Sequence, residues 1–210
     1  MISLIHKTIF VHIPKCAGQS VESTFLKDIS PDLNHDSHRH LLGCFEKPPS
    51  WDAAYPSRIA HLTAAQYTSL AFVSQSQWDS YFKFSTVRDP IERCVSMWRY
   101  QLYMEMSFPD FINDHLPSLS VQNYWYRSQS HYLIDTATRS CLVDVVLPFS
   151  QIAEQWHMIQ QRAGVRAPLD HRNEARVDLP DVPPALARKI KKIYADDYLH
   201  FASLLGHEVS

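Results

Sequence analysis

The chain has 210 residues, a length that predicts one domain and a core that needs no disulfide bond or structural metal. Its composition, 45% hydrophobic, 12% aromatic and 20% charged, excludes disordered, collagen-like and fibrous classes. The 20 basic and 22 acidic residues leave a formal net charge of −2, which argues against a general nucleic-acid-binding protein.

The first half of the chain predicts two strands, with helices after them and a long loop between. Residues 8–13 form an apolar β-branched run typical of a buried strand, and residues 19–26 open a helix. Residues 28–57 are loop-like. Residues 59–61 are expected to form a short strand, and Thr63 to cap a helix through Leu70.

The second half repeats the strand–helix alternation. Residues 81–87 predict a strand, followed by a helix from Pro90 to about residue 103. A short helix starts at Ser107 or Asp110, and residues 117–140 are expected to be irregular. A third strand (143–147), a helix (151–162), a loop (168–184) and a helical stretch (185–205) follow. This alternation predicts an α/β fold with a mostly parallel sheet.

Cysteine spacing and the N-terminal segment bear on the compartment. The four cysteines have no CxxC spacing, which indicates reduced thiols. The first residues show neither a signal-peptide pattern nor the ~20 apolar residues of a membrane span. We therefore expect a cytoplasmic protein without a membrane span.

A strand–loop–helix motif at residues 14–20 (PKCAGQS) predicts an anion site. The first amides of a helix point toward a ligand at its positive end, and Lys15 adds a full charge beside them. Gly18 is expected to let the backbone approach the ligand closely. The lysine precedes the glycine, so this is not the GxxxxGK[ST] phosphate loop.

A second motif, residues 86–96 (TVRDPIERCVS), follows the next strong strand. Arg88 is expected at the carboxyl edge of the sheet, where ligands bind in open α/β folds, and Ser96 lies in the following helix. Together they predict a grip on one phosphate. Asp89 is expected to orient an arginine or cap the helix, and Arg93 to pair with Asp89 or Glu92.

Together the two motifs resemble those of the sulfotransferases that use 3′-phosphoadenosine 5′-phosphosulfate (PAPS), closest to the carbohydrate-type branch with the heparan 2-O-sulfotransferases and short bacterial relatives. In that family P-K-x-x-G-x-S binds the 5′-phosphosulfate and R-D-P-x-x-R-x-x-S the 3′-phosphate. The resemblance implies a single domain over residues 1–210, with a three-layer α/β/α, P-loop-kinase-like fold. It implies these donor-binding residues: Lys15, Cys16, Ala17, Gly18, Gln19, Ser20, Arg88 and Ser96.

The resemblance also implies the catalytic residues. Lys15 would neutralise charge on the leaving phosphate, and His61 would take the proton of the acceptor hydroxyl. Two departures are that the family often has threonine or serine where Cys16 and Gln19 stand, and that the Golgi anchor of animal members is missing. We therefore expect a bacterial enzyme that needs no metal and acts on a carbohydrate-like or other small hydroxylated acceptor.

Several other residues have competing interpretations. His12 is expected to brace the core or the loop rather than act as a base. His35, His38 and His40 suggest either a metal site or, with no further ligand at suitable spacing, a solvated loop. An aromatic and polar set is interpreted either as a wall for a sugar or as partly core: Tyr124, Trp125, Tyr126, Arg127 and Gln129.

Two alternative functions remain. A nucleotide kinase would share the phosphate-binding loop, but the sequence lacks GK[ST] and a clear carboxylate motif for Mg²⁺. A non-catalytic module that binds 3′-phosphoadenosine 5′-phosphate would keep the binding motifs without turnover. Should His61 not be the base, His38, His40 and Glu22 are the next candidates.

Overall fold

The structure is a computed structural model that describes residues 1–29, 40–43, 56, 58–101, 105–170 and 181–207. His35, His38 and most of the loop predicted over residues 28–57 lie outside this part of the chain, as do residues 171–180 of the second predicted loop.

The strands of the described chain form one mixed sheet whose centre is parallel. They are Ile2–Ser3 (β1), Thr8–Val11 (β2), Leu41–Leu42 (β3), Phe82–Val87 (β4) and Val145–Pro148 (β5). Their order across the sheet is β3-β1-β2-β4-β5. β4 pairs in parallel with β2 and β5, whereas β1 pairs antiparallel with β2 and β3. The predicted parallel arrangement is thus confirmed for the three longer strands.

Helices connect and cover these strands. The α-helices of the described residues are Gly18–Ile29 (α1), Ala64–Ser69 (α2), Gln75–Ser80 (α3), Pro90–Gln101 (α4), Phe108–Asp110 (α5), Leu116–Gln122 (α6), Gln129–Leu133 (α7), Ile152–Ala163 (α8), Pro184–Ile193 (α9) and Ala195–Phe201 (α10). None of them is long and apolar enough to span a bilayer.

The sheet is the middle of three layers. Alternate side chains of β2 point to opposite faces, so Ile9 and Val11 pack in one cluster and Phe10 in another. Helices α2, α7 and α10 contribute to the first cluster, and α1 and α8 to the second. Burial on both faces explains why β2 and β4 consist of apolar and small residues, apart from Lys83, whose buried ammonium donates to the carbonyls of Trp78 and Tyr81. The predicted α/β/α fold is confirmed.

Two local predictions are wrong. Residues Ile59–His61 form a turn of 3₁₀ helix rather than a strand, because their chain bends back so that Leu62 N–H reaches the carbonyl of Ile59. Residues 117–140, expected to be irregular, contain α6, α7 and a 3₁₀ turn over Tyr124–Tyr126. Asn123 caps the 3₁₀ turn and Ser128 caps α7. Because the whole segment is rich in polar residues, these two caps do not stand out in the sequence.

Candidate active site

The loop between β2 and α1 presents backbone amides at the carboxyl edge of the sheet. Lys15 and Ala17 adopt left-handed conformations, with φ of 69° and 63°. Within the described part of the chain, the N–H groups of Lys15, Ala17 and Gly18 have no hydrogen-bond acceptor. Unpaired amides at the start of a twelve-residue helix are the donors that an anion needs.

The ring of His12 explains the glycine of this loop. A Cβ atom on Gly18 would lie 1.8 Å from His12 Nε2, so the imidazole occupies the space that any other residue would fill. The His12 ring is buried, and its Nδ1 contacts Glu22 Oε1 at 2.6 Å. Glu22 follows Gly18 by one helical turn, so the two residues face His12 together. The predicted bracing role of His12 fits these contacts.

Lys15, a residue of this loop, is half-buried. Its Nζ lies 4.1 Å from the centre of the Tyr100 ring. Burial, and then the charge of Arg88, lower the pKa of Lys15 from 10.5. The two predicted donor-binding motifs therefore place their cations within electrostatic reach of each other.

Arg88 follows β4 and is held at both its backbone and its side chain. Its N–H donates to Gln129 Oε1 at 2.8 Å, and its carbonyl accepts from Gln129 Nε2 at 2.8 Å. The guanidinium stacks 4.2 Å from the centre of the Phe149 ring, and Nε contacts Glu92 Oε2 at 3.2 Å. Ser96 is half-buried two turns along α4, and its side chain bonds to none of the described residues.

Asp89 and Arg93 have structural roles. Asp89 Oδ1 accepts from the N–H groups of Ile91 and Glu92 and so caps α4, one of the two predicted roles. Arg93 is fully buried, as a structural role requires, but the predicted pairing with Asp89 or Glu92 is wrong. The Arg93 guanidinium instead donates to three backbone carbonyls, those of Pro14, Trp125 and Arg127.

The other predicted loop residues divide by burial. Cys16 is fully buried, and its Sγ donates to Gln129 Oε1 at 3.2 Å. Burial raises the pKa of this thiol to about 11, so it stays protonated at neutral pH. Ser20 is buried, Ala17 is half-buried and Gln19 is exposed. Cys16 therefore faces the protein interior. Its backbone is also engaged there, since its N–H donates to the Ile13 carbonyl and its carbonyl accepts from Thr86 Oγ1.

His61 is buried at the wall of a polar cleft. The lining residues are Pro56, His61, Thr63, Gln66, Tyr124, Arg127, His131 and Tyr132. His61 Nδ1 lies 2.9 Å from the carbonyl of His12, and Nε2 lies 3.1 Å from an Arg58 guanidinium nitrogen. Because a carbonyl only accepts and a guanidinium only donates, Nδ1 carries the proton and Nε2 the lone pair. Burial, and then the charges of His12 and Arg58, lower the pKa of His61 well below 6.5.

Two aromatic residues link His61 to Lys15. The Trp125 ring lies 5.6 Å from the His61 ring and 5.8 Å from the Tyr100 ring, and Tyr100 lies under the Lys15 ammonium. Both predicted catalytic side chains thus border the same aromatic pair. Sequence reasoning missed Tyr100, although its position one turn beyond Ser96 on α4 was a usable signal.

The predicted sugar-binding wall is smaller than expected. Tyr126 and Gln129 are buried in the protein and cannot line a surface, whereas Tyr124 and Arg127 do line the cleft. Within the described residues, the buried Nε1 of Trp125 and Nε of Arg127 have no hydrogen-bond partner. His40, the described member of the histidine cluster, is exposed. Nowhere in the described chain do three or more His, Cys, Asp or Glu side chains gather as metal ligands would.

Comparison with known proteins gives a single kind of match. A family model described as "Sulfotransferase family" matches residues 1–202, a range that contains both motif loops and His61. Neither the curated proteins nor the solved structures contain a match.

Proposed function

Because the chain belongs to the sulfotransferase family, we propose that it transfers a sulfuryl group from PAPS to the hydroxyl of a carbohydrate-like or other small acceptor. The observation that carries the proposal is the meeting of two cationic loops at one edge of the sheet. Lys15 and the unpaired amides follow β2, Arg88 follows the neighbouring parallel strand β4, and residues 1–210 would act as one domain.

The donor needs two anion sites, and each loop supplies one. In the first loop, the amides of Lys15, Ala17 and Gly18 and the Ser20 hydroxyl would hold the 5′-phosphosulfate. In the second, Arg88 and Ser96 would hold the 3′-phosphate through charge-assisted hydrogen bonds. Phe149 under the Arg88 guanidinium limits the directions in which this side chain can point.

Transfer requires a proton acceptor and a stabilised leaving group. The acceptor oxygen forms its bond to sulfur as the bond from sulfur to the phosphate oxygen breaks, and the electron pair of that bond stays on the phosphate. Lys15 would neutralise this charge. His61 would receive the hydroxyl proton at Nε2, the nitrogen with the lone pair, after the hydroxyl replaces Arg58 as its hydrogen-bond donor.

The first experiment tests the 3′-phosphate site. We expect the protein to bind 3′-phosphoadenosine 5′-phosphate more tightly than adenosine 5′-phosphate in calorimetry. Arg88→Ala should remove about 1.5–3 kcal/mol of that preference, the usual contribution of a charged hydrogen bond. Arg162→Ala is the matched control, because Arg162 also lies over an aromatic ring, that of Phe82, but at the opposite end of β4. Equal affinity of the wild type for the two nucleotides would contradict the assignment.

The second experiment separates enzyme from binding module. Incubation with PAPS and a panel of hydroxylated acceptors, with and without saccharides, should yield a sulfated product. Tight nucleotide binding without turnover on any acceptor would favour the non-catalytic module. Transfer of phosphate from a nucleoside triphosphate would favour the kinase.

A further inference from the structure

One buried histidine touches both halves of the proposed site. The His12 ring lies against Gly18 at the start of α1, and its centre is 4.4 Å from that of the His61 ring. Glu22, one turn into α1, contacts His12 Nδ1 at 2.6 Å and is itself buried. The hydrogen bond between the Glu22 carboxylate and the His12 ring is therefore buried. In the protein interior such a bond is strong, and leaving one of its groups unpaired is energetically costly.

The backbone of His12 acts on His61 directly. Its carbonyl accepts from His61 Nδ1 at 2.9 Å, which keeps the proton on Nδ1 and the lone pair on Nε2. The ring and the carbonyl belong to one residue, which directly follows β2. Where loss of the ring's support shifts the backbone of His12, the carbonyl moves as well. A shift of the carbonyl would leave the Arg58 contact at Nε2 to hold the tautomer by itself, and whenever Arg58 moves away the proton could transfer to Nε2, where it blocks proton uptake.

We propose that His12, held by Glu22, is a positioning residue that fixes the start of α1 and the tautomer of His61 together. The proposal rests on the proposed function, since it concerns the base of that reaction. It assigns no contact between His12 and the substrates: the imidazole acts through Gly18 on the donor loop and through its carbonyl on the base.

The tautomer of His61 is measurable without any activity. In ¹⁵N NMR spectra of the histidine-labelled full chain at pH 7.5, with signals assigned through His61→Gln, we expect wild-type His61 to be protonated at Nδ1. Glu22→Ala should give a mixture of tautomers, and Glu22→Gln, whose amide oxygen still accepts from His12, should keep the wild-type signal. Glu22→Asp, which retracts the carboxylate by one methylene, serves as a second loss variant if Glu22→Ala does not fold.

The matched control is the other histidine–carboxylate pair of α1. Asp28 Oδ2 contacts His6 Nε2 at 3.0 Å near the end of the helix, and Asp28 is also hydrogen-bonded to the backbone of residues 166 and 167. Asp28→Ala removes a comparable partly buried pair, yet it should leave the His61 signal and kcat unchanged. A change as large as that of Glu22→Ala would show that any loss of stability disturbs the site.

Kinetics test the consequence for the reaction. Glu22→Ala should lower kcat at least about tenfold, because an imidazole in the wrong tautomer cannot accept the proton. Glu22→Gln should restore most of the rate. In a His61→Ala background, Glu22→Ala should cost much less, since the two losses share one cause.

An unchanged His61 tautomer in Glu22→Ala and Glu22→Asp, or losses that multiply fully in the double variant, would overturn the proposal. If the wild type transfers no sulfuryl group, the proposed function fails, while the NMR result still decides the role of His12.

Discussion

Lys15 is the residue whose charge we expect to matter most as the donor bond breaks. If the ammonium stabilises the phosphate mainly in the transition state, Lys15→Ala should lower kcat more than it raises KM for PAPS. Lys15→Arg keeps a charge above the Tyr100 ring and should retain more activity than Lys15→Ala. Steady-state kinetics with varied PAPS measure both constants. A normal kcat with a raised KM would make Lys15 a binding group only.

His61 gives the site its expected pH dependence. Burial, then the charges of His12 and Arg58, hold the pKa of His61 well below its ordinary 6.5, so the neutral form persists to lower pH. As the pH falls from 8 to 6.5, kcat should therefore stay constant, and it should decline only below that range, where the imidazole takes up a proton. His61→Ala should lose about 10²–10⁴-fold in kcat and still bind 3′-phosphoadenosine 5′-phosphate.

The pH profile also shows whether another group is the base. A wild-type rate that already halves near pH 6.5 would indicate that a group other than His61 takes the proton. Near-normal turnover of His61→Ala would exclude His61 itself. Glu22 is a poor alternative base, because its carboxylate is buried against His12. Although burial opposes it, the contact with His12 lowers the pKa of Glu22.

At the scale of elements, the sequence predicts those strands and helices whose signals lie within their own residues. The apolar strands β2 and β4 and the helices that start at Gly18 and Pro90 have clear local signals, and these elements carry Lys15 and Arg88. The contacts of Gln129 could not be predicted, because they join segments far apart in the sequence. Likewise, the sequence of Ile59–His61 fits a short strand as well as a 3₁₀ turn. Its conformation depends on packing against Gly43, which is distant in the sequence.

Gln129, the first residue of α7, connects the loops that contain Cys16 and Arg88 to helix α10. Its amide oxygen accepts from Arg88 N–H and Cys16 Sγ, and its Nε2 donates to the Arg88 carbonyl and to the buried Asp197. Gln129→Ala leaves several buried groups unpaired, each costing about 1–3 kcal/mol. We expect the variant to unfold at lower urea concentration and to bind 3′-phosphoadenosine 5′-phosphate more weakly.

An exposed glutamine provides the control for this variant. Gln75 donates to Asp79 on the surface of α3, so Gln75→Ala should change the free energy of unfolding by no more than about 0.5 kcal/mol. If Gln129→Ala unfolds at the wild-type urea concentration and binds nucleotide normally, Gln129 does not join the loops in the way described.

At the scale of the whole molecule, the sheet brings distant charges to one place. Because β2 and β4 run parallel, the loops that follow them meet at the same edge, although Lys15 and Arg88 are far apart in the sequence. Other elements contact these two residues at the same edge. Tyr100 of α4 lies under the Lys15 ammonium, and Phe149, which follows β5, lies under the Arg88 guanidinium. Gln129 of α7 accepts from the Arg88 N–H. The proposed donor site is thus a product of topology rather than of any single motif.

The charges gathered at this edge lead to a last prediction, that sulfuryl transfer does not need a divalent metal. The leaving group is a phosphate that gains charge at one oxygen. In the proposed site, Lys15 and the unpaired amides of Lys15, Ala17 and Gly18 would stabilise this charge. Transfer from PAPS should therefore continue at an unchanged rate in excess EDTA, and added Mg²⁺ should not raise it. The same assay with a nucleoside triphosphate is the control. A strict requirement for Mg²⁺ would mean that these side chains are insufficient, and it would favour the kinase alternative, whose more highly charged donor calls for a metal.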